Sequence, residues 1–137
     1  MNICVYGASS DSIDKIYHDT AYELGSKIAK RGHTVVYGGG GNGVMGATAR
    51  GARDNGGNVI GIAPTFFLVD GVLFEDCTEF VYTETMRERK KILEERSAGF
   101  IIAPGGIGTF DEFFEILTLK QLERHNKPIA IFNVNGY

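Results

Sequence analysis

The sequence predicts an α/β protein of three layers (α/β/α), a mainly parallel sheet with helices on both faces. Two observations carry that prediction. Short, continuously apolar runs alternate with helical patterns along the 137 residues, as expected for strands buried on both faces. Glycine-rich turns follow several of those runs, and in open α/β sheets ligands bind beyond the carboxyl ends of the strands. The length suits one domain, residues 1–137, with a real core.

Ile3 to Tyr6 reads as the first strand, leading into Gly7-Ala8-Ser9-Ser10. A helix follows from about Ser12 to Lys30, its apolar face made by Ile16, Ala21, Leu24, Ile28 and Ala29, and Gly32 suits its left-handed cap. Thr34 to Tyr37 is the second strand, Gly38 to Gly43 a glycine run, and Val44 to Asn55 a small-residue helix stopped by Gly56-Gly57. Val59 to Ala63 is the third strand, closed by Pro64. Phe66 to Glu75 is apolar without a clear period and reads as a loop or lid. Phe80 to Tyr82 is a fourth strand. Met86 to Arg96 is a helix, with Thr85 and Glu88 spaced as a capping box. Phe100 to Ala103, Thr109 to Arg124 and Ile129 to Val134 read as strand, helix and strand. The sequence stops at Asn135-Gly136-Tyr137, directly after a strand, which predicts either a truncated chain or a short member of its kind.

Composition bounds the function. A net charge of −3 gives no general attraction to nucleic acid or anionic membrane, so any phosphate site must be local. Cys4 and Cys77 make neither a metal nor a disulfide framework and read as buried small side chains in a reducing cytosol. The N-terminus lacks the features of a signal peptide and no apolar stretch is long enough to span a membrane, so a cytoplasmic protein is expected.

Pro104-Gly105-Gly106-Ile107-Gly108-Thr109-Phe110-Asp111-Glu112 carries the chemistry. Strand, glycine turn and helix start together make a phosphate cradle, because glycines let backbone N–H groups approach an anion and the helix dipole favours negative charge. Gly41-Asn42-Gly43-Val44-Met45-Gly46 matches G-x-G-x-x-G. It follows the second strand, however, and the third ends in Pro64-Thr65 without an acidic residue for a ribose, which argues against dinucleotide binding. Tight turns and close helix–sheet packing explain this second loop equally well.

On the Met86 helix, Arg89 and Arg96 fall in the arc of Met86, Ile92 and Leu93. A guanidinium aimed inward must meet an anion, since an unpaired buried charge costs several kcal/mol or more, on the order of the desolvation penalty. Arg89, near the helix start, is expected to serve function and Arg96 a structural ion pair. Lys90 lies at the arc's edge, within reach of solvent or ligand. Glu112 shares an arc with Ile116 and Leu119, yet Thr109-x-x-Glu112 is also a capping box, while Asp111 is expected to face solvent. The same helix is apolar on two arcs, Phe110, Phe113, Phe114 and Leu117 against Ile116, Leu119 and Leu122; the second cover this demands is most economically a two-fold partner subunit.

These residues resemble a known family. The Pro104–Glu112 stretch is similar to the PGGxGTxxE signature of the Lonely Guy (LOG) proteins, cytokinin riboside 5′-monophosphate phosphoribohydrolases often mislabelled lysine decarboxylases. Met86-Arg87-Glu88-Arg89-Lys90, the Tyr37–Gly40 run with Gly43, Met45 and Gly46, and Cys4 to Ser10 resemble it too. The resemblance covers essentially the whole chain, although family members usually continue for some tens of residues. It implies a homodimeric Rossmann-like fold, without cofactor or metal, that cleaves the N-glycosidic bond of an adenosine-type 5′-monophosphate. Arg89 and Glu112 would be its catalytic pair. Gly105, Gly106, Gly108 and Thr109 would grip the phosphate, and Ser9, Met86 and Lys90 would contact the substrate. Nothing in the chain suggests a pyridoxal phosphate site. The competing class is a non-catalytic nucleotide or molybdenum-cofactor carrier, which would keep the glycines but need neither Arg89 nor Glu112.

Overall fold

The computed structural model describes residues 1–137, apart from the side chain of Val69. Its strands are β1 (Asn2–Tyr6), β2 (Thr34–Tyr37), β3 (Val59–Pro64), β4 (Glu79–Thr83), β5 (Gly99–Ile102) and β6 (Ile129–Ile131); its helices are α1 (Lys15–Lys30), α2 (Gly43–Asp54), α3 (Phe66–Asp70), α4 (Met86–Arg96) and α5 (Ile107–Gln121). All strand pairs are parallel, in the order β4-β3-β2-β1-β5-β6. The strand order reverses between β1 and β5, where Tyr6 pairs with Ile102. That reversal parts the loops leaving the two strands and opens a crevice at their carboxyl ends.

The period-2 alternation of the strands sorts the core into two layers. Val5, Val35, Tyr37 and Val59 join Ala21 and Ile28 of α1 and Ala47, Ala49 and Ala52 of α2. Cys4, Tyr6, Val36, Ile60 and Ile62 turn the other way, onto Leu93 of α4 and Ile116 of α5. Burial raises the Cys4 thiol far above its ordinary value and lifts that of Cys77 to about 11, so both are inert packing groups.

Several expected boundaries move. The first helix begins at Lys15, not Ser12, and Ile16 is exposed. The buried face of α1 is Ala21, Gly25, Ser26 and Ile28, small because α2 packs so closely that a Cβ on Gly25 would run into the Thr48 carbonyl. Phe66 to Glu75 is not all loop: α3 occupies its first half and stops at Gly71 (φ 67°), after which Leu73 bridges to Gly40. β6 ends at Ile131, short of Val134, and as an edge strand it is not covered on both faces, Ile131 being 69% exposed. Arg96 does form the expected ion pair, donating twice to Glu79 at 3.0 Å, but at the half-exposed rim of the sheet and not inside it. Among the described residues no helix is long and apolar enough to cross a membrane.

Candidate functional site

A cleft of roughly 540 Å³ lies over the carboxyl ends of β1, β2 and β5. Its volume falls within the range of about 300–1,000 Å³ typical of small-molecule sites. Three loops build it. The β1 loop (Gly7 to Ser10) runs between the two glycine turns and is stitched to both: Ala8 N–H donates to Pro104 O at 2.9 Å, and Ala8 O accepts from Met45 N–H at 3.1 Å. Gly38 and Gly40 line the floor, shaped by the Tyr37 hydroxyl donating to Gly40 O at 2.8 Å.

The Pro104 turn delivers the start of α5 to this cleft. The helix begins at Ile107 with Gly106 as its N-cap, two residues earlier than expected, because the glycines themselves supply the turn. Thr109 is therefore the third helical residue and makes no capping bond, and Thr109 with Glu112 forms no capping box. Among the described residues the N–H groups of Ile107, Gly108 and Thr109 have no acceptor. Three free amides at the positive end of a 15-residue helix have the donors and the dipole that suit an anion. A Cβ on Gly106 or Gly108 would meet nothing, so these glycines keep the mouth open. Gly105 differs: it does not line the cleft, and a Cβ there would strike Thr109 Oγ1. Without a side chain it lets the turn pack tightly against Thr109.

Glu112, one turn along α5, is half-buried, lines the cleft and accepts no hydrogen bond among the described residues. Burial pushes its carboxyl up to about 7, with Asp111 and Glu115 adding to the rise and Arg89 and Lys90 opposing it. Such a group sits near the midpoint between acid and base at neutral pH.

Arg89 is buried (7% exposed) and reaches the cleft from the first turn of α4, which is capped by Thr85 Oγ1 accepting from Glu88 N–H at 3.1 Å. It meets no carboxylate in an ion pair. Instead its Nε donates to Ile62 O at 3.0 Å and Nη2 to Gly38 O at 2.7 Å, while Phe67 lies 5.6 Å from the guanidinium carbon. Two strand-end carbonyls and an aromatic face thus take up part of its hydrogen-bonding capacity without a carboxylate. Burial lowers the affinity of Arg89 for its proton, and Glu112 works against that.

Ser9 and Met86 line the cleft as expected. Lys90 is not among the residues lining the cleft, and its ammonium sits on Asp111 Oδ2 at 3.1 Å and Glu115 Oε1 at 3.7 Å. Asp111, expected to face solvent, is exposed but engaged in that pair. Phe67, Asp70 and Val72, from the segment read only as a loop or lid, also line the cleft. Nothing local marked them, since α3 is too short for a periodic signal.

The second glycine loop is closed. Gly43 (φ 65°) gives its N–H to Asp11 Oδ1 at 2.8 Å, and a Cβ there would hit Ala8 O. A Cβ on Gly46 would hit Gly41 O. The chain's own carboxylate thus occupies the amino end of α2, and the packing explanation holds for this loop. Among the described residues no cluster of His, Cys, Asp or Glu has the makings of a metal site.

A family profile described as "Possible lysine decarboxylase" matches residues 45–137. The chain is 40% identical over 135 residues to a probable cytokinin riboside 5′-monophosphate phosphoribohydrolase of Oryza sativa subsp. japonica, covering 98% of this chain and 60% of the rice protein. It is 41% identical to a cytokinin riboside 5′-monophosphate phosphoribohydrolase of Mycobacterium tuberculosis, covering 98% of this chain and 72% of that one. This chain thus spans about three-fifths of the rice relative and 63% of one from Arabidopsis thaliana. Among solved structures, the molybdenum cofactor binding protein of Rippkaea orientalis superposes with a TM-score of 0.79 at 28% identity, covering 98% of this chain and 77% of that one. The molybdenum cofactor carrier protein of Chlamydomonas reinhardtii gives 0.79 at 25%, covering 95% and 74%. With nearly its whole length aligned to phosphoribohydrolases, and with the Pro104–Glu112 and Met86–Lys90 motifs meeting at one cleft, the chain belongs to the Lonely Guy (LOG) family.

Proposed function

We propose that the chain hydrolyses the N-glycosidic bond of an adenosine-type nucleoside 5′-monophosphate, plain or N6-modified, releasing the base and ribose 5-phosphate. The observation that supports this reading best is the sharing of one cleft by three free α5 amides, Glu112 and Arg89. The names of the relatives point the same way. In this reading the 5′-phosphate docks on the N–H groups of Ile107, Gly108 and Thr109, with the Gly106 turn and Ser9 beside it. That grip carries the ribose over Glu112 and the base toward Met86 and the apolar wall of Met45, Phe67 and Val72.

As the C1′–N bond breaks, its electron pair leaves with the base and positive charge grows on the sugar. Ionised Glu112 stabilises that charge and takes a proton from the water whose oxygen bonds to C1′; a proton from solvent completes the departing base. Arg89, which lines the cleft, holds its proton throughout, so its part is electrostatic: it stabilises the electron-rich leaving group. Because remote phosphate binding positions the sugar, nucleosides should react far more slowly than their monophosphates.

The exposed stripe of Ile107 (88%), Phe110 (52%), Phe114 (57%) and Leu117 on α5 is the face we assign to a second copy of the chain. Sedimentation should give twice the mass of one chain, and Phe114→Glu should return it to the single-chain mass.

Incubation with AMP and with an isopentenyl-type AMP, followed by chromatography, tests the activity: free base and ribose 5-phosphate are expected. A second reading, binding without turnover, is favoured by the structural relatives that bind or carry the molybdenum cofactor. It leaves Glu112 and Arg89 without a task, and bound nucleotide with no released base would establish it.

A further inference from the structure

The two groups assigned to chemistry arrive from different helices, Arg89 from α4 and Glu112 from α5. Their relative placement therefore depends on what fixes one helix against the other. At the end of α4 away from the cleft, Lys127 Nζ donates to Glu94 O at 2.6 Å, and the chain carrying Lys127 follows directly on α5. At the cleft end, the tie is Lys90. Its Nζ bridges Asp111 Oδ2 at 3.1 Å and Glu115 Oε1 at 3.7 Å, two residues that flank Glu112 on α5, while Lys90 itself adjoins Arg89. Its side chain is only 17% exposed, well covered for a lysine.

We propose that Lys90 is a positioning residue: by clamping Asp111 and Glu115 it locks the first turns of α4 and α5 together and sets both the placement and the electrostatic surroundings of Glu112. The inference rests on the hydrolase reading for its kinetic consequence, but not for its structural one. The charged and titratable groups around Glu112 are Arg89 and Lys90 from α4, Asp111 and Glu115 from its own helix, and Cys4 and Tyr6 from β1. Asp70 adds a carboxylate elsewhere in the cleft lining. With Lys90 in place, its single positive charge offsets part of the field of Asp111 and Glu115. Without it, Glu112 faces both of them bare and holds its proton more firmly.

The test is Lys90→Met, with Lys90→Arg as the conservative control. Two readouts are followed: the titration of Glu112 by carboxyl NMR, and the pH dependence of kcat and KM for AMP. For Lys90→Met the Glu112 midpoint is expected to rise by about 0.5 pH unit or more. The lower limb of the kcat/KM profile should move with it, and kcat at pH 7 should fall about tenfold with KM altered less, within the roughly 10²-fold that a 1 Å misplacement can cost. Lys90→Arg should restore both readouts. A Lys90→Met protein whose melting temperature falls while the Glu112 midpoint and the kcat profile stay put would overturn the proposal, leaving Lys90 a plain inter-helix brace. If wild-type protein released no base from any monophosphate, the hydrolase reading would fall, and the Glu112 midpoint would still decide the clamp.

Discussion

The two glycine-rich turns look alike in sequence and do opposite things. At Gly41-Asn42-Gly43 the chain fills its own helix terminus: Asp11 takes the Gly43 amide and Ala8 O takes that of Met45. At Pro104-Gly105-Gly106 the three amides of Ile107, Gly108 and Thr109 are left free above a cleft. Both helices begin with the same excess of N–H groups and the same dipole. What separates a packing turn from an anion site is whether another part of the chain supplies the acceptor. That acceptor, Asp11, lies 32 residues from the glycine it binds, so no local motif could reveal it.

The sharpest way to break this contrast is at Glu112, on the open loop's helix. Glu112→Gln should lower the rate of base release by on the order of 10²-fold or more, as should Arg89→Ala, by the scale of lost electrostatic contacts in other active sites. Wild-type kcat/KM should rise as pH passes upward through about 7, the value to which burial brings the Glu112 carboxyl. The same variant carries a stability signature of opposite sign to a lost cap. A carboxyl raised in the folded protein contributes stability that is whole below its unfolded pKa and is lost as pH rises through the folded value, here about 7. Glu112→Gln should therefore match wild type at pH 4 and melt higher at pH 8, by about 1–3 kcal/mol in unfolding free energy. Equal melting loss at both pH values would restore the capping explanation.

A paired substitution sharpens the comparison further. Gly43→Ala places a side chain at φ 65° against Ala8 O and should destabilise by about 2 kcal/mol or more in thermal unfolding. Gly108→Ala adds a methyl to open space inside a helix, so stability should hold or rise by up to about 1 kcal/mol. Its effect should appear instead in binding, as a KM for AMP raised about tenfold where the methyl crowds the phosphate; this magnitude corresponds to about 1.4 kcal/mol.

The strands and the longer helices were legible because their signals are local: apolar runs such as Val59 to Ala63, and the capping spacing of Thr85 with Glu88, of which the Thr85 half is made. The inward aim of Arg89 was legible for the same reason, since helical period alone gives its direction. Its partners were not, because the carbonyls of Gly38 and Ile62 belong to distant strand ends and carry no side-chain signature. Thr109 misled by offering the spacing of a capping box two residues inside a helix that the glycines had already begun. The ion pair of Lys90 was not legible, because its partner Asp111 belongs to a different helix. Phe67 and Asp70 were lost in a segment too short to show a period.

The most direct test of the claim that α5, and not α2, holds the nucleotide is a titration of the ¹⁵N-labelled protein with AMP, following backbone amide resonances. The largest shifts are expected at Ile107, Gly108 and Thr109, with Gly43, Val44 and Met45 nearly unmoved. Large shifts at the α2 residues, with Ile107 to Thr109 silent, would contradict the account.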